Sequence, residues 1–332
     1  MYYWQATSLG RLLQQRPRLA HALLLQAPEG TGVAEFGLWL AQSLLCETPR
    51  EDGQACGQCA ACNWFVRGNH PDFRLVQPDS QVPVEEGAEP SKERKSDQIR
   101  IDQLRALQDF LSVGTHRAGA RVILLHPADS MNPPAQNALL KNLEEPGPHT
   151  FFLLATSQPH RLLPTVRSRC QIVPLPRPDA GAAITWLKEQ GVDDPQGMLA
   201  LAGGAPLLAA GMAIERRFIE QFADRLADPR MDPVAAAASA QSAAPAEVVC
   251  ELYRWCYDLL LSRLAGRVRY HAGREEAIAR AAAGCDPVRL AAYVRTLCEA
   301  RSLSEHPLNA RLFTEDLLLD YSRAIAPAGR ES

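Results

Sequence analysis

Long apolar runs are absent from this chain. No stretch approaches the roughly 18 consecutive apolar residues of a membrane-crossing helix, although 46% of the 332 residues are hydrophobic. That share is ordinary for a globular protein. A strong charge of either sign is also missing, since 35 Lys and Arg face 38 Asp and Glu for a net charge of −3. Bulk positive charge is what lets a protein wrap nucleic acid unaided. Near-neutrality argues against that class and leaves room only for a local basic patch. The opening MYYWQATSLG lacks the charged-then-apolar pattern of a secretory signal, so a cytoplasmic location is expected. No internal repeat is found. What the chain does have is length, too much for one typical core, and two or three domains are expected. It also has nine cysteines. In a cytoplasmic chain these do not form a disulfide framework, and clustered ones suggest metal.

The stretch from Arg121 to Cys170 is the most strongly marked. Arg121 to Leu125 and Phe151 to Ala155 are apolar runs of strand length, suited to a parallel sheet covered on both faces. Between them lies a helix with clear ends. Asn132 is a good N-cap, and Pro133 sits where a missing N–H costs nothing. Ala135, Ala138, Leu139 and Leu143 make one apolar face, and Pro146 and Gly147 end it.

Ahead of this stretch, a short helix is expected around Leu9 to Gln15 and a strand over Ala22 to Gln26. Pro28 to Gly32 is a turn, and Ala34 to Leu45 is a helix. Strand, glycine-bearing turn and helix make the frame of a phosphate-binding loop, in which Gly30, Thr31 and Gly32 would offer backbone N–H groups to phosphate oxygens. A working loop also needs Lys for the phosphates and Ser or Thr for Mg²⁺, whereas Val33 and Ala34 follow here. Taken in isolation, the same residues read more readily as a tight turn between strand and helix. Cys46, Cys56, Cys59 and Cys62 can converge on a tetrahedral ion. Thiolates suit Zn²⁺, and four ligands make a closed, structural site. An iron–sulfur cluster and unligated thiols are the alternatives. Gly53 and Gly57 relieve the turns such ligand loops need.

Asp72 to Gln77 is a strand candidate. Pro78 to Gln98 is polar and charged, and is expected to be a mobile loop. A helix follows over Ile99 to Val113. After the strand at Arg121 to Leu125, a nucleotide hydrolase carries acids that hold Mg²⁺ and activate water. His126 and Pro127 stand there instead, with Asp129 further on. Thr156 and Ser157 end the next strand, where they either sense phosphate or satisfy backbone. A short helix over His160 to Thr165 leads to Ser168, Arg169 and Cys170 and a fifth strand, Gln171 to Leu175. Arg169 is the residue type for bidentate phosphate contact, or it is simply solvated. Pro174, Pro176 and Pro178 stiffen a linker. Helices at Ala180 to Gln190 and Gln196 to Ala202 form a small unit. Beyond it no strand signal remains, with helices expected near 207–227, 244–264, 274–283, 286–301 and 307–325. Leu252, Trp255, Leu259 and Leu260 share a core face, and Cys250, Cys256, Cys285 and Cys298 read as small core residues.

Together these features resemble the AAA+ clamp-loader family. The matching residues are Ala27 to Gly32, the four clustered cysteines, Asn137 to Pro146, Phe152 to Thr156, and Ser168-Arg169-Cys170. The resemblance implies an α/β AAA+ domain over 1–174, a five-stranded parallel sheet with the zinc module at 46–62 inserted. It further implies a small helical lid domain over 175–206 and an all-α collar domain over 207–332. Such loaders are five-subunit rings that open a sliding clamp and place it on primed DNA. The partners implied are motor subunits of the gamma/tau type, a delta-type wrench, the clamp and primed DNA, with no membrane. In the family, the Ser-Arg-Cys arginine acts in trans on a neighbour's ATP, which gives Arg169, beside Ser168, a catalytic role. Val33, His126-Pro127 and Leu207, where a lid arginine is expected, depart from the motor pattern on three separate elements. A subunit that does not hydrolyse ATP is expected, inside an assembly whose DNA-directed polymerase (nucleotidyltransferase) activity belongs to the complex. The rival readings are an ATP-hydrolysing motor subunit, a zinc-dependent DNA-binding module, and a scaffold that serves no active site.

Overall fold

The computed structural model describes residues 1–82, 96–112, 115, 119–213, 216–228, 230–304 and 309–326. The chain divides into two compact units, Met1–Asp179 and Ala180–Ser332. In the first, strands alternate with helices: α1 Ala6–Gln14, β1 Ala22–Gln26, α2 Val33–Leu45, α3 Ala60–Val66, β2 Phe73–Val76, α4 Ile101–Ser112, β3 Arg121–Leu125, α5 Pro133–Glu144, β4 Thr150–Thr156, α6 Pro164–Arg167 and β5 Gln171–Pro174. The strands form one five-stranded sheet in the order β2-β3-β4-β1-β5, and every ladder is parallel.

Both faces of this sheet are covered, as its apolar strands require. Leu23, Leu25, Val122, Leu124 and Leu153 pack on one side against Phe36, Leu40 and Leu44 of α2. Their chain neighbours Leu24, Ile123, Leu125, Phe152 and Leu154 pack on the other side against Leu104 and Leu107 of α4 and Leu139 and Leu143 of α5. The alternation is the two-residue repeat of a strand. Val122 to Leu125 are all at 0% exposure, and each such side chain contributes about 1.5–3 kcal/mol of burial.

Helix α5 starts as its sequence dictates. The Asn132 side chain accepts from the Ala135 N–H at 2.9 Å, and Ala135, Leu139 and Leu143 face inward, while Ala138 is only partly buried. The helix expected over His160 to Thr165 is instead a 3-10 turn at Pro159–Arg161 followed by α6. Pro164 holds Leu163 in an extended conformation, φ −57° and ψ 141°, and so interrupts the helix before restarting it. Helix α3 was not anticipated by apolar periodicity. The expected strand Asp72 to Gln77 contracts to β2. Of the expected loop Pro78 to Gln98, a 3-10 turn at Asp79–Gln81 is seen, and 83–95 lie outside the described residues, as does Val113.

The second unit is helical throughout its described residues: α7 Ala180–Glu189, α8 Pro195–Leu201, α9 Pro206–Met212, α10 Arg216–Leu226, α11 Pro233–Ser239, α12 Pro245–Ala265, α13 Glu275–Ala282, α14 Pro287–Leu303 and α15 Ala310–Ile325. The segment 207–227 is thus carried by two helices rather than one, and α11 is an addition. Ala183, Leu187, Met198, Leu199 and Ala209 make a small core. A larger one gathers around Leu252, Trp255, Leu259, Leu297 and Tyr321. There the Trp255 indole donates to the Tyr321 hydroxyl at 2.8 Å, which donates to the Leu226 carbonyl at 2.9 Å. Both polar tips of these buried rings are therefore satisfied. Cys256 and Cys285 are buried and Cys250 is half-buried, but Cys298 is exposed and is no core residue.

A charged trio is buried in the same unit. His271 lies 2.9 Å from Asp258 through Nδ1 and 2.7 Å from Glu251 through Nε2. Burial opposes a charge on the imidazole, but the hydrogen bonds to Asp258 and Glu251 outweigh it and raise the His271 pKa. Burial alone would raise Asp258, yet the His271 contact and the backbone N–H groups of Arg269, His271 and Tyr270 lower it. The His271 contribution to stability is complete below its unfolded value of about 6.5 and is lost as pH rises through the higher folded value. That of Asp258 is present above about 3.9 and is lost as pH falls through its lower folded value. Urea unfolding of the full chain is therefore expected to show stability falling on the alkaline side of about pH 6.5, and H271A to remove that slope. H271A leaves buried Asp258 without its cation, while Glu251 keeps Arg254 at 3.3 Å, and breaking such a buried pair costs about 3–5 kcal/mol.

Candidate functional site

The C-terminal ends of the parallel strands lie on one edge of the sheet, the edge where open α/β sheets hold their ligands. The turn after β1, His126 after β3 and Thr156 at the end of β4 meet there. Gly30 and Gly32 adopt φ of 70° and 92°, which glycine adopts without strain. Thr31 is buried, and its hydroxyl donates to the Pro28 carbonyl at 2.7 Å. The turn leads directly into the start of α2, with Gly32 as its N-cap. Val33, where the lysine would stand, is buried in the core of the first unit.

The N-terminal segment closes over this turn. Trp4 Nε1 donates to the Thr31 carbonyl at 3.1 Å. Gln5, fully buried, donates through Nε2 to the carbonyls of Thr31 and Gly32 at 2.9 and 3.0 Å. Tyr2 stacks on Trp4 and meets Trp39 edge-on. Its ring comes so near that a Cβ on Gly32 would lie 2.6 Å from it. Burial, and then Glu35, push the Tyr2 hydroxyl up to about 12. No local sequence pattern marks these contacts beyond the cluster of aromatic residues in MYYW, in a chain with 6% aromatics.

The other tools of a hydrolase are engaged or neutral. Burial holds the His126 imidazole below its usual pKa, so it carries no charge at neutral pH. Asp129 is buried and accepts from the Thr156 hydroxyl, and that hydroxyl accepts from the Gln158 N–H at 3.0 Å. Thr156 is thus used in full inside the protein. Leu207 lies in α9, half-buried.

Ser168, Arg169 and Cys170 form the turn that ends α6, and each has a distinct setting. The Ser168 hydroxyl donates to the Thr165 carbonyl at 3.1 Å, tightening the helix end. Cys170 packs against the core beside Val166, and burial pushes its thiol up to about 11. Arg169 faces outward with its side chain 35% exposed. The approach to α6 is tied to α5 by the buried Gln136. Its Nε2 donates to the Met131 carbonyl at 2.9 Å and the Arg161 carbonyl at 3.3 Å, and its Oε1 accepts from the Leu163 N–H at 2.7 Å. A polar residue in the middle of a helix gave no sequence signal for this anchoring role.

The four cysteines converge. Cys46 caps the C-terminus of α2, Cys59 is the N-cap of α3 and Cys62 lies in its first turn. Their ligand atoms and that of Cys56 all lie within 4.8 Å of one another. Cys46 and Cys59 sulfurs are 3.9 Å apart, as are those of Cys56 and Cys62. Tetrahedral bonds of about 2.3 Å place sulfurs about 3.8 Å apart, so the donor set fits a thiophilic ion. Gly53 and Gly57 take φ of 81° and 78°, which opens the loop that brings Cys56 in. Cys46 Sγ accepts from the Cys56 N–H, and Cys59 Sγ from the Cys62 N–H. The Thr48 hydroxyl and the N–H groups of Gln58 and Cys59 draw the Cys56 thiol down to about 5, while burial pushes Cys62 up to about 12. Thr48 was not singled out from sequence. Among the described residues, this is the one group of three or more potential ligands able to share an ion.

Comparison with known proteins places the chain in a family. A family profile described as "DNA polymerase III, delta subunit" matches residues 6–179, the whole of the first unit beyond its opening residues. The DNA polymerase III subunit delta' of Pseudomonas aeruginosa is 41% identical over 63% of this chain and 60% of its own length. That of Escherichia coli K12 is 29% identical over 98% of this chain and 96% of its own length. The chain is thus matched over about three fifths of the first relative and nearly all of the second. A gamma subunit-related protein of Thermotoga maritima superposes with a TM-score of 0.47 at 17% identity, covering 97% of this chain and 99% of that one, a likeness too loose to carry further weight. None of these names gives nucleotidyl transfer to such a subunit by itself, and polymerase activity is not carried over to this chain. With a profile spanning just over half its length, the chain belongs to the DNA polymerase III delta-subunit family.

Proposed function

We propose that this chain is a non-hydrolysing subunit of a sliding-clamp loader, lending Arg169 to the ATP site of a neighbouring subunit. One contrast carries the reading: Arg169 is presented on an anchored turn, while the chain's own phosphate loop lies under Tyr2, Trp4 and Gln5 with Val33 buried beside it. A loop roofed by aromatic rings and lacking its lysine neither admits a triphosphate readily nor neutralises one. An exposed guanidinium on a fixed turn suits charge stabilisation in a transition state at a subunit boundary. In this reading the second unit divides into a lid and a collar that joins the other subunits of a five-membered ring. The motor-type and wrench-type subunits, the clamp and primed DNA are its partners. Nearly neutral charge and the lack of a lysine weigh against the DNA-binding module and the motor, respectively.

The cysteine group is proposed to hold one structural Zn²⁺. Four protein sulfurs leave no open position for water, so the ion serves as a cross-link between the end of α2 and the start of α3.

Replacing Arg169 with Ala in a reconstituted loader is expected to lower clamp- and DNA-stimulated ATP turnover at the neighbouring site by roughly a thousandfold. The purified chain alone is expected to release no phosphate from ATP. Unchanged turnover with R169A would overturn the trans role. Elemental analysis of the purified chain is expected to find one zinc per molecule, and Cys62→Ser to lose it with faster proteolysis between residues 46 and 66.

A further inference from the structure

Arg169 is held by its own chain. A guanidinium carries five N–H donors, and three contacts are made here. Nε donates to Glu144 Oε1 at 2.7 Å, and Nη2 shares the same oxygen. Nη1 donates to the Thr165 carbonyl at 2.9 Å. Among the described residues two donors remain, one on each terminal nitrogen. Because Nε and Nη2 use one lateral edge on Glu144, the terminal nitrogens keep donors for the planar, two-pronged contact that arginine makes with phosphate.

The carboxylate is as well placed as the arginine. Glu144 is the last residue of α5 and directly follows Leu143, which is buried in the core. Gln136, two turns earlier on the same helix, fixes the approach to α6. Glu144 and Thr165 therefore belong to elements already locked together, and Arg169 has little freedom to swing. The ion pair itself adds little to stability, since its side chains are 35% and 49% exposed and solvent screens such pairs. Orientation is the consequence that remains.

We propose that Glu144 is a positioning residue for Arg169, setting the guanidinium plane so that its two remaining donors face a phosphate group carried by an adjoining subunit. This rests on the trans role of Arg169 proposed above. A freely rotating arginine would have to be ordered at each turnover. One held in place meets the transition state already aligned, and misplacement by about 1 Å is enough to cost up to a hundredfold in rate.

The test compares reconstituted loaders carrying wild-type chain, E144A, E144Q, R169A, the E144A/R169A pair, and E145A as an exposed control on the next residue. Stimulated ATP turnover is measured across ATP concentrations. E144A is expected to lower kcat by about tenfold with KM for ATP unchanged. E144Q retains the Oε1 acceptor and is expected to keep most of the rate. The pair is expected to be no slower than R169A, and E145A to match wild type. If R169A itself leaves turnover unchanged, the trans reading fails and this inference with it. If R169A is slow while E144A matches or exceeds wild type, Glu144 does not position the arginine and the trans reading stands alone. A loss in E144A that appears in KM, or that adds to R169A in the pair, also overturns the positioning role.

Discussion

The double-sided burial of a parallel sheet is the constraint from which the rest of the first unit follows. Strands such as Val122 to Leu125, with no side chain left in water, are stable only when helices cover both faces. Covering both faces requires crossover helices, and crossovers bring every strand in with the same direction. All strand C-termini then fall on one edge. The turn at Gly30–Gly32, His126, Asp129 and Thr156 share a neighbourhood for this reason. The fold supplies the place for a nucleotide whether or not the side chains can use it.

In this chain the N-terminal segment packs onto the turn at that edge. A nucleotide-binding turn offers donors to phosphate, and binding energy from the ligand helps fix its shape. Here Trp4 and Gln5 grip the carbonyls of Thr31 and Gly32 from the opposite side, and Tyr2 lies against Gly32. The left-handed glycine is explained without a phosphate, since any Cβ there would collide with the Tyr2 ring. Asp129 and Thr156 similarly satisfy each other. Such mutual satisfaction is what buried polar groups need when no ligand pairs with them. Val33 is part of this internally paired arrangement, and a Lys at position 33 would place an ammonium group against the core residues that surround Val33.

Much of this was legible in the amino-acid order. The strands announced themselves because doubly buried strands are continuous apolar runs, and α5 because Asn132 can cap a helix whose first position takes Pro133 and whose apolar residues then keep helical spacing. The cysteine spacing spoke directly of convergence. What could not be read was pairing across distance. Nothing local to Gln5 predicts that its amide bridges Thr31 and Gly32, twenty-six and twenty-seven residues away. Nothing local to His271 predicts carboxylates on α12 at either ring nitrogen. Helix α3 was missed because its seven residues are too few to display an apolar period. Its start is set by the Cys59 cap rather than by an amphipathic face. The expected single helix at His160 to Thr165 failed for a reason visible in hindsight, as Pro164 forbids its predecessor a helical conformation.

The cysteine group and the N-terminal roof act on opposite ends of the same helix. Gly32 is the N-cap of α2 and Cys46 its C-cap. Arg16 adds donors to the carbonyls of Ser43 and Leu44 in the last turn. A helix in a nucleotide-driven protein gains from a loose N-terminus that answers to the ligand. A helix fastened at both ends, by aromatic packing at one and by converging sulfurs at the other, resists such movement. Under the trans role proposed for Arg169, a fixed scaffold would keep the guanidinium in one place relative to a neighbour's phosphate, and the fastening of α2 and of the Ser168–Cys170 turn would both serve that end.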